Sequence, residues 1–298
     1  MKFNNLSADH RSLFEKHLRL RSRSLSAYAF ENIYLWRSLY DIFWCIIDGS
    51  LCVFFRDKLG CFLFLPPLGH RRSHKALNAV WKVLDEKNSC RDGARIENVE
   101  EQDRAWFIRA GCRVRRATGD YLCARRALAA LRGNAYKSKR SQFNSFKRRY
   151  CYTYRPLRLK DISACRTLLE DWQKSRLPAG RSDMYRGLLQ DSVRSCTWLL
   201  RHWRDAAYTG RVVEVEGRVR AFSFGYALSR NTFCILYEVA DLNIKGLAQA
   251  VFRHFCEELV SYEFINVMDD SGLDNLKRVK LSYRPVRFIP AYNVTRIP

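Results

Sequence analysis

The chain has 298 residues, of which 47% are hydrophobic and 13% aromatic, enough to build one large or two small packed domains. Its formal net charge of +23 is extreme for an enzyme that handles only small molecules, and it predicts a polyanionic partner, either nucleic acid or an anionic membrane surface. No apolar run approaches the roughly 20 residues that span a bilayer, and the first ten residues lack the apolar core of a signal peptide. We therefore expect a cytoplasmic chain without a transmembrane segment, which leaves contact with the inner face of a membrane open.

The cysteines argue against a metal site. The chain contains 11 of them, an odd number, and no two stand at C-x-x-C spacing. Several, including Cys45, Cys52 and Cys234, lie within apolar runs, a pattern typical of buried, reduced thiols. We therefore predict no metal centre.

In the first half of the chain the spacing of apolar residues changes several times between a helical and a strand period, which predicts a mixture of helices and strands. In chain order we expect helices over 6–20 and 26–36, strands over 40–47, 51–56 and 61–65, a helix over 73–85, a strand over 94–99 and a helix over 100–110. Asp48-Gly49 between the first two strands is a dipeptide typical of a tight hairpin turn.

The most basic stretch of the sequence covers residues 132–155. Phe143, Phe146 and Tyr150 recur within it at helical spacing, which predicts a helix with one packed aromatic face. The remaining polar positions predict contacts to phosphate groups, made by Lys137, Lys139, Arg140, Asn144, Lys147 and Arg148. The alternative is an ordinary charged face in solvent.

The second half repeats the order of the first. We expect helices over 163–174 and 185–203, strands over 211–216, 218–228 and 232–239, a helix over 247–259, a strand over 264–267, an acidic loop and a last helix. Three antiparallel strands followed by a helix and a parallel strand resemble the skeleton of the GNAT acyltransferase fold. The sequence thus predicts an α+β fold of two GNAT-like lobes, 1–131 and 156–298, joined by the basic segment 132–155, with mixed, mostly antiparallel sheets flanked by helices. One continuous larger sheet is the alternative.

Four ordered blocks, spread over nearly the whole chain, resemble one known family. They are 26–32 (SAYAFEN) with Trp36, Arg37 and Tyr40; 136–140 (YKSKR) with Asn144 and 146–148 (FKR); 237–241 (YEVAD) with Gly246, Gln249 and Ala250; and Asn266, Asp270, Gly272, Leu273, Leu276 and Lys280 with 282–285 (SYRP). With these blocks the chain resembles a stand-alone member of the phosphatidylglycerol lysyltransferase C-terminal domain family. The resemblance implies a tandem GNAT fold related to Fem-type transferases, which move an amino acid from aminoacyl-tRNA to an acceptor such as phosphatidylglycerol. It implies tRNA and an anionic phospholipid as partners, with aminoacyl-tRNA as co-substrate and no separate cofactor.

Candidate site residues cluster in the second half. Glu238 and Asp241 stand where a strand ends before a helix, the part of an α/β sheet where ligands bind, so either carboxylate is a candidate base or acceptor-positioning group. Lys280 completes the predicted catalytic set, and with Arg284 it is a candidate for holding a phosphate or the developing oxyanion. The predicted substrate-binding residues are Asn266, Asp270, Tyr283, Arg284 and Gly246, with Asp270 assigned to the α-amino group of the amino acid. The structural alternatives are a helix cap for Asp241, a salt bridge for Glu238, a turn for Asp270, a solvated cation for Lys280 and simple packing for Tyr283.

Two other functions stay open at this stage. An acyl-CoA N-acyltransferase would hold the pyrophosphate of CoA on a glycine-rich turn at the start of a helix, and the corresponding turn here, 243–248 (NIKGLA), keeps one Gly and one Ala of that pattern. A non-catalytic protein that binds RNA or a membrane would explain the charge equally well.

Overall fold

The computed structural model describes residues 1–89, 93–177 and 182–297, and the chain folds there into two compact units. Unit 1 comprises residues 1–120, the short segment Asp269–Gly272 and the chain from Phe288 onward, whereas unit 2 comprises Tyr121–Met268 and Leu273–Arg287. The basic stretch 132–155 lies wholly within unit 2. It therefore packs with the second predicted lobe.

Helices and strands alternate along both units. The α-helices are α1 Arg11–Leu18, α2 Phe30–Leu35, α3 His74–Lys87, α4 Glu101–Arg109, α5 Arg125–Ala130, α6 Lys137–Arg149, α7 Ile162–Arg176, α8 Asp183–His202, α9 Leu247–Glu258 and α10 Asp274–Leu281. The strands are β1 Asn4–Asn5, β2 Asp41–Ile47, β3 Ser50–Arg56, β4 Cys61–Leu63, β5 Ile96–Glu100, β6 Cys112–Ala124, β7 Tyr152–Pro156, β8 Thr209–Val215, β9 Arg218–Ala227, β10 Thr232–Ala240, β11 Phe264–Asn266 and β12 Arg287–Arg296.

The sheet of unit 1 has the strand order β1-β2-β3-β4-β5-β12-β6. Asp48 and Gly49 both have positive φ, at 49° and 69°, which is the tight turn that the right-handed twist of the β2–β3 hairpin favours. Strands β4 and β5 are parallel, and α3 makes the connection between them. Apolar side chains of α3, among them Val80 and Leu84, pack with Phe54 and Ile96 in one buried cluster. The predicted order of three antiparallel strands, a helix and a parallel strand is confirmed in this unit.

The sheet of unit 2 has the order β6-β11-β10-β9-β8-β7. Strands β7 to β10 are antiparallel neighbours, and β10 and β11 are parallel with α9 between them in sequence. The α+β fold class and the GNAT-like order are thus confirmed here also. Strand β6 begins in unit 1 and continues into unit 2 after Asp120, so one strand is common to both sheets. In this one respect the alternative of a continuous sheet also holds.

Strand β10 departs from regular pairing just ahead of its acidic end. Its register with β9 shifts between Ile235, which faces Gly225, and Tyr237, which faces Phe224. A Cβ at Gly225 would lie 2.3 Å from the ring of Phe233 and 2.4 Å from the carbonyl oxygen of Cys234, so only glycine permits this close approach. Such bulges bend a strand and leave a backbone group outside the ladder, and they are over-represented beside active sites.

Gly246 lets the basic helix α6 approach α9. It precedes α9 with a φ of +87°, and a Cβ there would lie 2.4 Å from the carbonyl oxygen of Gln142 and 3.0 Å from Cβ of Phe146, both on α6. The predicted substrate-binding glycine therefore has a packing role that needs no ligand.

We expect Gly246→Ala to lower the free energy of unfolding by about 2–4 kcal/mol, because strained φ and a backbone clash add. Gly217→Ala is the matched control, since Gly217 has a similar φ of +74° but nothing within 4 Å of the added Cβ. Denaturant unfolding of both variants measures the difference. Equal losses would show that α6 moves away at no cost.

The described residues bear on the expectation of buried, reduced cysteines and on that of no transmembrane segment. Ten cysteines fall in that part of the chain, and all of them are free; nine are buried and Cys151 is exposed. Within the same residues, no helix combines the length and the apolar character needed to cross a membrane.

Candidate active site

Glu238 occupies an unusual position for a carboxylate. It lies near the end of β10, just past the bulge, and its side chain is deeply recessed but keeps a solvent-accessible part. Burial raises the pKa of the Glu238 carboxyl from 4.5 to about 8, while the nearby ammonium groups of Lys139 and Lys280 oppose the rise. Among the described residues, no hydrogen bond or ion pair holds this carboxylate. A recessed carboxyl that titrates near neutrality is suited to proton transfer.

Lys139 reaches the same place from the first turn of α6. Its Nζ lies 3.6 Å from the centre of the Tyr283 ring, which is close enough for a cation–π contact. Burial lowers the pKa of the Lys139 ammonium from 10.5 to about 8, against an opposing influence of the Glu238 charge. The lysine that the sequence assigns to phosphate thus points inward, toward the predicted catalytic carboxylate.

Lys280 and Tyr283 come from the end of α10 and the turn after it. Lys280 Nζ donates a hydrogen bond to the carbonyl oxygen of Val267, and its charge acts on Glu238. The Tyr283 hydroxyl accepts a hydrogen bond of 2.8 Å from Gln249 Nε2 on α9. Burial raises the pKa of this phenol well above 10, so it stays protonated at every physiological pH. The turn therefore carries a fixed, neutral tyrosine and a cation to the site.

A third contact ties this turn to the start of α6. The Tyr136 hydroxyl donates a hydrogen bond of 3.1 Å to the backbone carbonyl of Tyr283. Because Lys139 follows Tyr136 by one helical turn, this bond fixes the height of Lys139 over the Tyr283 ring. Four of the chain's elements, β10, α6, α9 and the α10 turn, thereby meet at one set of polar groups within unit 2.

The buried charges of unit 1 provide a contrast. Glu100 accepts hydrogen bonds from the backbone amides of Ser24 (2.6 Å) and Leu25 (2.9 Å), and Asp103 is bound by Arg23 at 2.5 Å and Arg72 at 2.8 Å. Buried carboxylates that serve structure are paired in this way. Among the described residues, Glu238 has no such partner and feels only the charges of Lys139 and Lys280, which is the arrangement expected where a substrate must reach the carboxylate.

Asp241 lies in a different environment from Glu238. Its Oδ2 is 3.1 Å from Arg220, and its Oδ1 accepts bonds from the backbone amide (3.0 Å) and the side chain (3.1 Å) of Asn243. This geometry stabilises the turn between β10 and α9. No contact between Asp241 and Glu238 is found in the described part of the chain, so the structure does not bring the two predicted carboxylates together.

Two further predicted residues lie at the end of β11 and in the loop after it. Asn266 is fully buried, and its Oδ1 accepts a hydrogen bond of 2.7 Å from the amide of Met268, whose φ is +61°. Asp270 belongs to unit 1, and its Oδ1 accepts a bond of 2.9 Å from the amide of Gly272. Both side chains shape the loop; a role in binding substrate stays a prediction for each.

Apart from Lys139, the predicted phosphate-binding residues of α6 divide into two groups. Arg140 donates to the backbone carbonyl of Gly133 at 3.0 Å and to that of Leu131, so it holds the entry to the helix. The exposed group consists of Lys137, Asn144, Lys147 and Arg148. Every exposed side chain of α6 is polar or cationic, since the apolar Phe143 and Phe146 are buried. Arg284 is likewise exposed, with a φ of +53°.

Sequence reasoning did not assign Gln249 or Tyr136 to the site, although both position Tyr283. The signal for Gln249 was present, because it is a polar residue within the otherwise apolar buried face of α9. No signal in the sequence pairs Tyr136 with Tyr283, since 147 positions separate them. Over residues 1–89, 93–177 and 182–297, no group of His, Cys, Asp and Glu is arranged to hold a metal ion.

The fold recurs in several known structures. A conserved protein of unknown function from Bacteroides thetaiotaomicron superposes with a TM-score of 0.87 at 24% identity over 100% of both chains. The C-terminal domain of a putative lysylphosphatidylglycerol synthetase from Agrobacterium fabrum gives a TM-score of 0.65 at 12% identity, covering 98% of this chain and 93% of that one. L-PGS from Bacillus licheniformis gives 0.64 at 14% identity, covering 96% and 91%.

The sequence itself is matched by one family. No curated protein is significantly similar to the chain. The family model "Phosphatidylglycerol lysyltransferase, C-terminal" matches residues 18–295, which is nearly the whole length and includes all four blocks and every residue of the Glu238 site. The chain therefore belongs to the phosphatidylglycerol lysyltransferase C-terminal family.

Proposed function

We propose that this protein is an aminoacyltransferase, which moves an amino acid from aminoacyl-tRNA to a hydroxyl group of an acceptor such as phosphatidylglycerol. Family and fold support an acyltransferase related to lysyl-phosphatidylglycerol synthases and Fem-type transferases. The observation that carries the finer proposal is the recessed Glu238, whose pKa burial raises to about 8 beside Lys139 and Lys280.

The reaction needs one proton acceptor and one anion-stabilising group. In our proposal the ionised Glu238 removes the proton of the acceptor hydroxyl, whose oxygen attacks the carbonyl carbon of the aminoacyl ester. The bond between that carbon and the ribose oxygen of tRNA then breaks, and the ribose oxygen takes the proton from Glu238. The base is thereby regenerated, and neither an oxidant nor a cofactor is required.

Two features near Glu238 are suited to the oxyanion that forms on the way. The register shift between Ile235 and Tyr237 leaves Leu236, two residues before the base, without a partner residue on β9. A bulge of this kind frees backbone groups from the ladder, and in our proposal one of them donates to the oxyanion. Lys280, whose charge acts on Glu238, supplies positive charge where negative charge develops. A pre-oriented charge in a recessed site is worth more than the same charge in water.

The turn before α9 favours an ester of tRNA over acyl-CoA as donor. In the alternative enzyme, this turn would hold a diphosphate on its backbone amides. Here the amides of Asn243, Ile244 and Leu247 already donate within the turn, and the Asp241 carboxylate lies there as well. A fixed negative charge and occupied donors both oppose a diphosphate.

The exposed face of α6 is our proposed contact to tRNA. Lys147 and Arg148 are exposed in its last turn, and Lys137 in its first. Cations without apolar neighbours suit phosphates that stay in water.

We expect the double variant Lys147→Gln/Arg148→Gln to weaken tRNA binding and to flatten its salt dependence, by about 0.9 in the log–log slope for each duplex phosphate that the variant no longer neutralises. The matched control is Arg194→Gln/Arg201→Gln, which removes the same charge from exposed positions of α8. Filter binding over a range of salt concentrations gives both slopes. Equal slopes for the two variants would mean that tRNA does not bind the α6 face.

Donor and acceptor are tested by one reconstitution. Purified protein is mixed with a total tRNA charged with labelled amino acids, or with labelled acetyl-CoA, in the presence of phosphatidylglycerol. Labelled lipid from the tRNA mixture alone is the expected result. Transfer from acetyl-CoA alone would overturn the tRNA proposal in favour of an acyl-CoA transferase.

A further inference from the structure

The surface next to the Glu238 site differs in character from the α6 face. Residues 277–287, here named the 277–287 segment, form the end of α10 and the chain after it. Three apolar side chains in this segment are exposed: Val279 by 53%, Leu281 by 45% and Val286 by 57%. Single exposed apolar residues are common, but here three occur within eight positions.

Cations are interleaved with these apolar side chains. Lys277, Arg278, Arg284 and Arg287 are all exposed. Among the described residues, none of the four forms an ion pair; Arg278 makes a hydrogen bond of 3.4 Å to the carbonyl oxygen of Asp274. Unpaired charge of one sign next to exposed apolar surface is typical of segments that lie in the headgroup layer of an anionic membrane.

The inward side of the same segment builds the proposed active site. Lys280 and Tyr283 point toward Glu238, while Val279, Leu281 and Arg284 beside them are exposed. A surface that bound the exposed side of the 277–287 segment would therefore lie next to the residues that line the Glu238 site.

We propose that the 277–287 segment docks the protein onto an anionic lipid surface, with Leu281 and Val286 in the acyl–headgroup boundary and the arginines among lipid phosphates. This inference rests on the proposed function, since it brings the headgroup of a lipid acceptor to Glu238. RNA is the competing ligand for any cationic surface, but phosphates in water gain nothing from Leu281 or Val286. The polar α6 face fits RNA, and the mixed 277–287 segment fits lipid.

Sedimentation with vesicles tests the docking. Wild-type protein is expected to bind phosphatidylglycerol vesicles at low salt and to bind phosphatidylcholine vesicles at least tenfold more weakly. Leu281→Ser/Val286→Ser is expected to weaken binding about tenfold at every salt concentration. Arg284→Gln/Arg287→Gln is expected to cost about fivefold for each charge at low salt and much less at high salt. Val260→Ser is the control, because Val260 is a lone apolar residue with 74% exposure, and it should bind as wild type does.

Three results would overturn the docking proposal. They are absence of binding to phosphatidylglycerol vesicles, equal binding by wild type and Leu281→Ser/Val286→Ser, and a loss of tRNA binding in that variant without a loss of vesicle binding, which would identify an RNA surface. Circular dichroism verifies that each variant is folded.

The lipid surface and the reaction can fail separately. Vesicle binding is measured without any donor, and Glu238→Gln is expected to bind vesicles as tightly as wild type. Transfer is measured with wild-type protein and soluble glycerophosphoglycerol, which needs no membrane. Vesicle binding without transfer would contradict the proposed aminoacyltransferase activity and support the docking surface. Transfer without vesicle binding would support the activity and contradict the docking surface.

Discussion

Glu238→Gln is expected to lower the rate of aminoacyl transfer by about 100- to 10,000-fold, the usual contribution of a positioned general base. Glutamine keeps the shape of the side chain but cannot accept a proton. The loss should fall on kcat more than on KM, because the proton moves only on the way to the transition state. Single-turnover rates with aminoacyl-tRNA measure it. A variant that keeps its rate within a few-fold would exclude Glu238 as the base.

The same substitution should make the protein more stable at neutral pH. The pKa of Glu238 rises from 4.5 to about 8 on folding, so between these values the folded state holds a proton that the unfolded state has released. Stability contributed by this group is thus complete below pH 4.5 and is lost as the pH rises through 8. Glutamine does not titrate, so the thermal midpoint of Glu238→Gln should exceed that of wild type increasingly from pH 5 to pH 8.

Glu214 on β8 is the matched control for both effects. Its carboxylate is bound by Arg155, whose hydrogen bond lowers the pKa of Glu214. The sign is therefore reversed: this group stabilises the fold above its unfolded pKa and loses that contribution as the pH falls. Glu214→Gln should lower the thermal midpoint at pH 7 and leave transfer unchanged. Opposite shifts from two glutamates of one sheet would show that Glu238 is kept for function at the expense of stability.

Local chemistry explains what the sequence predicted well about the fold. The turns Asp48-Gly49 and Glu216-Gly217 have positive φ at every position, as their hairpins require, and the strands on both sides were predicted to within two residues. The parallel strand β11 followed from the change of period after α9. Each of these depends on neighbours in sequence.

Strands that pair over long distances were missed. Strand β12 pairs with β5, with Tyr292 opposite Val99, and it contains Pro290, a residue that argues against a central strand. Strand β7, Tyr152–Pro156, begins inside the basic segment 132–155, and β6, Cys112–Ala124, runs through residues 112–120; the local pattern predicts no strand in either stretch. Their pairing partners lie far away in the chain, so no local pattern marks them.

The sequence predicts the carboxylate of the candidate site, Glu238, but not its lysine, Lys139. Glu238 was found because it ends a strand before a helix. Lys139 was grouped with the exposed cations of α6, yet it precedes Phe143 by four residues and so continues the buried aromatic face. The spacing of four residues between Lys139 and Phe143 indicates an inward-facing side chain. The basic composition of the segment is what favours the interpretation as a phosphate contact.

We expect Lys139→Met to shift the pH–rate profile to higher pH and to lower turnover at pH 7 by roughly tenfold or more. The Lys139 charge lowers the pKa of Glu238, so its removal lets burial raise that pKa above about 8. Each unit of upward shift leaves tenfold less ionised base at a given lower pH. Methionine fills the same space, and Lys147→Met, on the exposed face of α6, is the control that should leave the profile in place.

The direction of this change decides which of two coupled groups accepts the proton. If Glu238 is the base, Lys139→Met recovers most of the wild-type rate at sufficiently high pH, because Glu238 still ionises. If Lys139 were the base, through its neutral amine with a pKa of about 8, methionine would abolish transfer at every pH and Glu238→Gln would retain it. The thermal midpoint is a separate test of whether the Lys139 charge is buried. Because burial lowers the pKa of Lys139, its charge costs stability below pH 8. Lys139→Met should therefore raise the midpoint at pH 7, whichever group is the base. Recovery of the rate at alkaline pH is therefore the result that only a Glu238 base produces, and a higher midpoint shows that the variant has lost a buried charge.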